Sequence, residues 1–239
     1  MFKNNYLFIS ASLLISAHVC AQQYPSKPLR LIVAFAPGGA TDTFARITAA
    51  ELTRTLGQQV VVENRPGAGT TIAAEFVVKS AADGYTLLLT DLSTHAIMPS
   101  LYQKLAFNHG RDLIAVAPVS ASPLIMAAHP SVGVRNAKEL IALAKRSPGI
   151  TCGNSGAGTV THLAAEKFRT RAGIDLLSVN YKGGTTSTVS LMTGELSLIV
   201  NTIPAVLEHV KSRKLVAIGI TADRRAARAG NTPPPLSAV

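Results

Sequence analysis

From Leu29 onward, short apolar runs alternate with longer stretches in which apolar residues recur at helical spacing. Runs that are apolar throughout, rather than alternating, predict strands buried on both faces, and their alternation with amphipathic stretches predicts βαβ units on a parallel sheet. Leu31 to Phe35 is the first such strand. Past the Pro37-Gly38-Gly39 turn, Ala45, Ala49, Leu52 and Leu56 share one helical face, which predicts a helix ending before Gly57 and capped by Thr41 or Asp42. Val60 to Val62 predicts a second strand and Ile72 to Lys79 a second helix. Thr86 to Thr90, after the Asp83-Gly84 turn, predicts a third strand. Together these make one βαβαβ half.

Leu113 to Val119 and Leu124 to Ala128 predict two strands with no helix between them, so the chain is expected to cross from one lobe to another near Ser120. The alternation then resumes. Asn136 and Glu139 have capping-box spacing for a helix through Lys145, which Ser147-Pro148-Gly149 stops. Strands are expected at Ile150 to Cys152, Leu176 to Val179, Leu196 to Val200 and Leu215 to Ile220, with helices carrying Val160 to Phe168 and Ala205 to Lys211. The fold class is α/β: two lobes, residues 22–120 and 121–221, each a mainly parallel sheet flanked by helices with a cleft between them. No internal repeat is visible.

Composition narrows the function. Apolar residues at 47% against 15% charged ones describe a globular chain and exclude a disordered one. Met1 to Ala21 has the form of a secretory signal: Lys3 in a short polar start, an apolar run from Leu7 to Ala17, and Val19-Cys20-Ala21 before the expected cleavage. The run falls short of the ~20 residues that span a bilayer. His18 and Val19 are poor neighbours for an acylated Cys20. Processing would leave Cys152 without a disulfide partner and lower the formal charge from +10 to +9 by removing Lys3. That balance suits an anionic ligand. Nucleic acid is excluded as a partner because the basic residues are dispersed and aromatics are 5%; Arg224, Arg225 and Arg228 read as a solvated face.

Candidate chemistry lies in three glycine-rich loops, Phe35 to Asp42, Gly153 to Thr159 and Tyr181 to Thr185, each between a strand and a helix. Ligands of open α/β sheets bind at that end of the strands. Glycine lets backbone N–H groups approach an oxygen, and the helix start adds partial positive charge. The second loop fails as a phosphate-binding loop, with Thr159 where lysine belongs, and as a nucleophile elbow around Ser155, with Ala157 where the final glycine belongs. His162 and Glu166 supply half a zinc site at most. No metal, cofactor or catalytic residue is expected.

Several blocks, in order, resemble one family: Tyr24 to Pro28 leading into Phe35 to Asp42, then Val62 to Gly69, Asp83 to Leu88, Thr94-His95-Ala96 with Pro99 to Tyr102, Ser155 to Thr159 with His162, and Tyr181 to Gly184. They resemble the Bug or TctC family, the extracytoplasmic receptors of tripartite tricarboxylate transporters. The resemblance implies a periplasmic, monomeric, non-enzymatic solute-binding protein whose lobes close on a small carboxylate and deliver it to membrane transporter subunits. It implies a site drawn from Phe35, Ala36, Gly38, Gly39, Ala40, Thr41 and Asp42 on one lobe. The other lobe would supply Ser155, Gly156, Gly158, Thr159, His162, Lys182, Gly183 and Asn201. Asp42 has a second expected role, pairing with Arg46 one turn on. A secreted serine hydrolase using Ser155 or His162, and a ligand-presenting sensor subunit, are the alternatives.

The chain departs from the family pattern at Met98, at Ser197, where an aspartate is usual, and at Asn201-Thr202, where an Asp-Asn pair is usual and contact with ligand is expected. Beyond Thr221 the Pro-rich residues 222–239 begin a family segment and stop. A C-terminally truncated, marginally stable relative is therefore expected, with an exposed apolar face or sheet edge and weak or absent closure.

Overall fold

The structure, a computed structural model, describes residues 24–222 and residue 236. The expected signal segment and the basic and Pro-rich residues of the tail lie outside the described residues.

The first sheet is three parallel strands, β1 (Leu29–Val33), β2 (Val60–Asn64) and β3 (Thr86–Leu89), in the order β2-β1-β3. Alternation along β1 sends Leu29, Leu31 and Val33 to one face, where they pack on Ala45 and Ala49 of helix α1 (Ala40–Leu56). Ile32 and the following Ala34 face the other way, onto Ala73 of helix α2 (Thr71–Val78). Gly57 ends α1 in the left-handed conformation, as expected at that position. After β3, a π-helical turn over Ser93–Ile97 runs into a short helix, α3 (Met98–Leu101), where no element was expected.

The second sheet has five strands: β4 (Leu124–Ala128), β5 (Thr151–Asn154), β6 (Leu177–Asn180), β7 (Leu198–Thr202) and β8 (Val216–Ile220), in the order β6-β5-β7-β4-β8. Helices α4 (Ala137–Arg146) and α5 (Val160–Ala172) cover one face, over Met126, Ala128, Cys152, Leu198, Val200 and Ile218. Helices α6 (Gly184–Met192) and α7 (Ile203–Lys211) cover the other, over Ile125, Ala127, Ile199 and Ile220. Alternate residues of β4 and β7 thus enter different cores, which is why these strands read as unbroken apolar runs. Asn136 caps α4 as the spacing predicts: its Oδ1 accepts the Glu139 N–H at 3.0 Å, and the Glu139 carboxylate accepts the Arg135 N–H at 2.7 Å.

The second sheet is mainly parallel, as expected: β5 runs parallel to β6 and β7, and β4, which enters from the other sheet rather than through a helical crossover, is antiparallel to its neighbours β7 and β8. One expectation is corrected. Leu113 to Val119 is no strand: it has no pairing partner among the described residues, and Ile114 and Val116 are 90% and 85% exposed. An apolar run marks a strand only where a neighbour accepts its backbone bonds.

Candidate ligand-binding site

The first loop leaves the carboxyl end of β1. Asp42 was expected to cap α1, to pair with Arg46 or to meet ligand; it does not cap the helix, and it does pair with Arg46. Its buried carboxylate turns back to accept the Gly38 N–H (3.0 Å), Arg46 Nε and Nη2 (2.9 and 3.1 Å) and Asn64 Nδ2 (2.9 Å). Burial pulls this carboxyl upward, but the bonds from Arg46, Gly38 and Asn64 outweigh it and hold the group below the usual carboxylate range. Phe35 sits in the core, with its carbonyl held by Asn64 Nδ2 at 3.0 Å. Gly38 has spent its N–H on Asp42, whereas α1 starts at Gly39 with no side-chain cap, Thr41 included. The N–H groups at that start remain for an external acceptor.

The loop after β5 is stitched to itself. Thr159 caps α5, Ser155 donates its N–H to Thr161 Oγ1 at 2.9 Å, and His162 Nδ1 accepts the Gly158 N–H at 3.1 Å. Among the described residues no hydrogen bond joins Ser155 to His162, and Glu166, 4.0 Å from His162 Nε2, is held by Arg169 at 2.8 Å. No three His, Cys, Asp or Glu side chains among the described residues gather as a metal site. Asn201 is buried, not turned outward. Its Nδ2 donates to the Gly184 carbonyl and Thr188 Oγ1 at 2.9 and 3.0 Å, while its Oδ1 accepts the Thr202 N–H. It positions the start of α6. Ser197, part-buried, donates its N–H to Thr151 Oγ1 at 2.8 Å. Like α1, α6 has no side-chain cap at its start, Gly183, beside the exposed Lys182.

The two sheets meet through these loops. A methyl built on Gly183 would stand 3.1 Å from Ala36 Cβ, and one on Gly39 would stand 3.5 Å from Thr185 Oγ1, which reaches the Pro37 carbonyl at 3.5 Å. The uncapped starts of α1 and α6 are therefore neighbours across the seam. On its other side the Val160 N–H donates to Ser93 Oγ at 3.2 Å, and Met98, fully buried, lies against both Gly69 and Gly158.

Sequence reasoning missed several seam residues. Thr94 Oγ1 bonds both Thr70 Oγ1 (2.7 Å) and Thr90 Oγ1 (2.6 Å). Residues 67 to 70 all take positive φ, including the β-branched Thr70 at 89°, a conformation that costs energy and that surrounding contacts must impose. The blocks Val62 to Gly69 and Thr94-His95-Ala96 gave the signals there, and neither reached Thr70. A separate pocket of about 390 Å³, lined by Lys27, Arg30, Asp83 and Tyr85, lies at the opposite ends of β1 and β3; Lys27 and Asp83 pair there at 3.2 Å, so it is remote from the glycine loops.

Two helix-flanked α/β sheets in sequence, with loops at their carboxyl ends meeting between them, define a fold of the periplasmic-binding-protein kind. The chain belongs to the family of tripartite tricarboxylate transporter receptors, TctC, whose family model matches residues 44–234. BugT of Bordetella pertussis is 39% identical over 213 residues, which cover 88% of this chain and 65% of BugT; the chain thus spans somewhat less than two thirds of that relative. Among solved structures, MatC of Rhodopseudomonas palustris with bound malate aligns with a TM-score of 0.83 at 28% identity, over 88% of this chain and 72% of MatC. A second R. palustris protein, with adipate, aligns at 0.81 and 30%, over 84% of this chain and 68% of its own. The family and its fold are those of solute-binding proteins, and no helix among the described residues is long and apolar enough to cross a membrane.

Proposed function

We propose that this chain captures a small carboxylate between the starts of α1 and α6 and presents it to membrane transporter subunits outside the cytoplasmic membrane. The observation that carries this reading is the pair of uncapped helix starts facing one another across the seam. Each helix start bears roughly half a positive charge, so two in apposition repel unless an anion lies between them. The start of α5 is different, since Thr159 already satisfies it. Malate and adipate in the two R. palustris relatives support a carboxylate as that anion. The contact groups in this reading are backbone N–H groups of Gly39, Ala40 and Thr41 on one side and of Gly184 and Thr185 on the other, with Ala36 and Gly183 shaping the gap. Lys182 adds positive charge at its rim. Asp42, His162 and Asn201 hold the loops. Residues 22–120 and 121–221 act as the two lobes, hinged on the extended crossing, after export and cleavage near Ala21.

Isothermal titration with malate and with adipate tests this. Gly39 has an ordinary φ of −81°, and a Cβ there meets only ordinary contacts, so Gly39→Val keeps the fold. The expected result is saturable binding by the wild type, lost in Gly39→Val at unchanged melting temperature. Equal binding by the two proteins would leave that loop as a turn.

A further inference from the structure

We propose that Met98 is a latch between the lobes: its thioether plugs a socket walled by one glycine from each lobe and holds the lobes together before ligand arrives. The proposal rests on the two-lobed capture read above and adds the residue that sets its resting position.

Met98 opens α3 in the first lobe and is fully buried. A methyl built on Gly69, in its own lobe, would stand 2.6 Å from Met98 Cε and 3.0 Å from Sδ. One built on Gly158, in the loop after β5 of the other lobe, would stand 2.6 Å from the same Cε. Glycine alone leaves room for the thioether between these walls. Both glycines also have positive φ, +59° and +73°, where other residues are strained. Each wall is fixed from behind. Gly158 donates its N–H to His162 Nδ1 at 3.1 Å, and the loop carrying Gly69 is tied by the 2.7 Å contact of Thr70 Oγ1 with Thr94 Oγ1.

Little else joins the lobes. Among the described residues two hydrogen bonds cross the seam, from the Val160 N–H to Ser93 Oγ at 3.2 Å and from Thr185 Oγ1 to the Pro37 carbonyl at 3.5 Å. The first is at the long end of the usual range and the second beyond it. Full burial of a methionine side chain, by contrast, shifts an equilibrium by roughly ten- to hundredfold. Parting the lobes takes one wall from the socket and returns apolar surface to water, so the plug biases the ligand-free chain toward the joined arrangement. It lies on the side of the seam away from the starts of α1 and α6. Met98 therefore acts on every ligand alike, through the fraction of molecules already joined when ligand arrives.

Small-angle X-ray scattering and isothermal titration of the whole chain, as wild type, Met98→Ala and Met98→Leu, test this with malate and adipate. Alanine empties the socket, whereas leucine has about the same volume as methionine and keeps the plug. The expected result is a wild-type radius of gyration that malate leaves unchanged, and a larger ligand-free radius in Met98→Ala that malate contracts to the wild-type value. Affinities of Met98→Ala for malate and adipate should fall by one common factor, about tenfold. Met98→Leu should match the wild type in both measurements. A wild-type radius that contracts on adding malate overturns the proposal, whether or not Met98→Ala folds. Equal ligand-free radii in wild type and Met98→Ala, or losses that differ between the two diacids, overturn it as well. If the wild type binds neither diacid, the carboxylate reading fails and the ligand-free radii still decide the latch.

Discussion

Asp42 shows how one side chain fixes a loop that another molecule is to use. Its carboxylate gathers Gly38, Arg46 and Asn64, so the loop is held from behind and the N–H groups after Gly38 stay free. Asp42→Ala removes the acceptor shared by Gly38, Arg46 and Asn64 and should cost about 1.5 to 3 kcal/mol, the range for hydrogen bonds to a charged group. The folded carboxyl lies below its usual range, so its contribution is complete above the unfolded value of about 3.9 and is lost as pH falls through the lower folded value. Urea melts of wild type and variant should differ at pH 7 and converge in acid as pH falls through the lowered folded value; a gap that persists once the carboxyl is protonated would mean the carboxylate bonds are not its source. Cys152 gives a second residue-level test. It is buried in the larger core, and burial, aided by the Glu166 charge, pushes its thiol up to about 12. Since the thiolate is the reactive form, a chromogenic disulfide reagent should leave Cys152 untouched in the native protein and modify it on unfolding. Rapid native reaction would contradict that burial. At this scale the Asp42–Arg46 pair and the Asn136 cap were readable, because both are set within one helical turn. The Gly38 and Asn64 bonds were not, since they depend on where a loop and a second strand come to rest.

Among the elements, what was readable was local. Strands β1, β2, β3, β5 and β7, the face of α1 and its glycine stop follow from periodicity and turn residues, with ends displaced by a residue or two. The direction of β4 and the unpaired state of residues 113–119 depend on which strand lies alongside, and no property of the segment itself contains that. The turn and helix over Ser93–Leu101 escaped because Pro99 interrupts a stretch too short to show a period. Packing also separates glycines that look alike in sequence. A methyl at Gly153 in β5 would stand 2.5 Å from Leu196 Cδ1 and 3.3 Å from Ile199 Cγ2, and Gly153→Ala should cost about 1 to 3 kcal/mol by overpacking. At Gly173, which closes α5 at φ +60°, a methyl meets nothing within 4 Å. There Gly173→Ala should cost about 1 to 2 kcal/mol, from the left-handed backbone alone. Denaturant midpoints distinguish the two causes when each site is changed to Leu, which is unbranched at Cβ: Gly153→Leu should lose much further stability through added bulk, and Gly173→Leu little more.

For the whole molecule, the decisive feature is that groups distant in the chain, Ala36 to Thr41 and Gly183 to Thr185, meet across the seam with both helix starts unsatisfied by side chains. The loops themselves were legible as candidate anion cradles; their division of labour was not. Three similar glycine loops in the sequence become two open cradles and one that Thr159 and His162 have already closed. The apolar segment around Ile114 and Val116, open to solvent, belongs to the crossing between the sheets and not to the site. If the central claim is right, a carboxylate contacts both sheets at once. Backbone amide shifts in a nitrogen-15 correlation spectrum, followed while malate is titrated, test this most directly. The account predicts saturable, equally midpointed shifts at Gly39 and Ala40 and at Gly184 and Thr185, with Gly38, bonded to Asp42, moving far less. Binding that shifts only one of these two groups, or that centres on the Gly153–Thr159 loop, would contradict it.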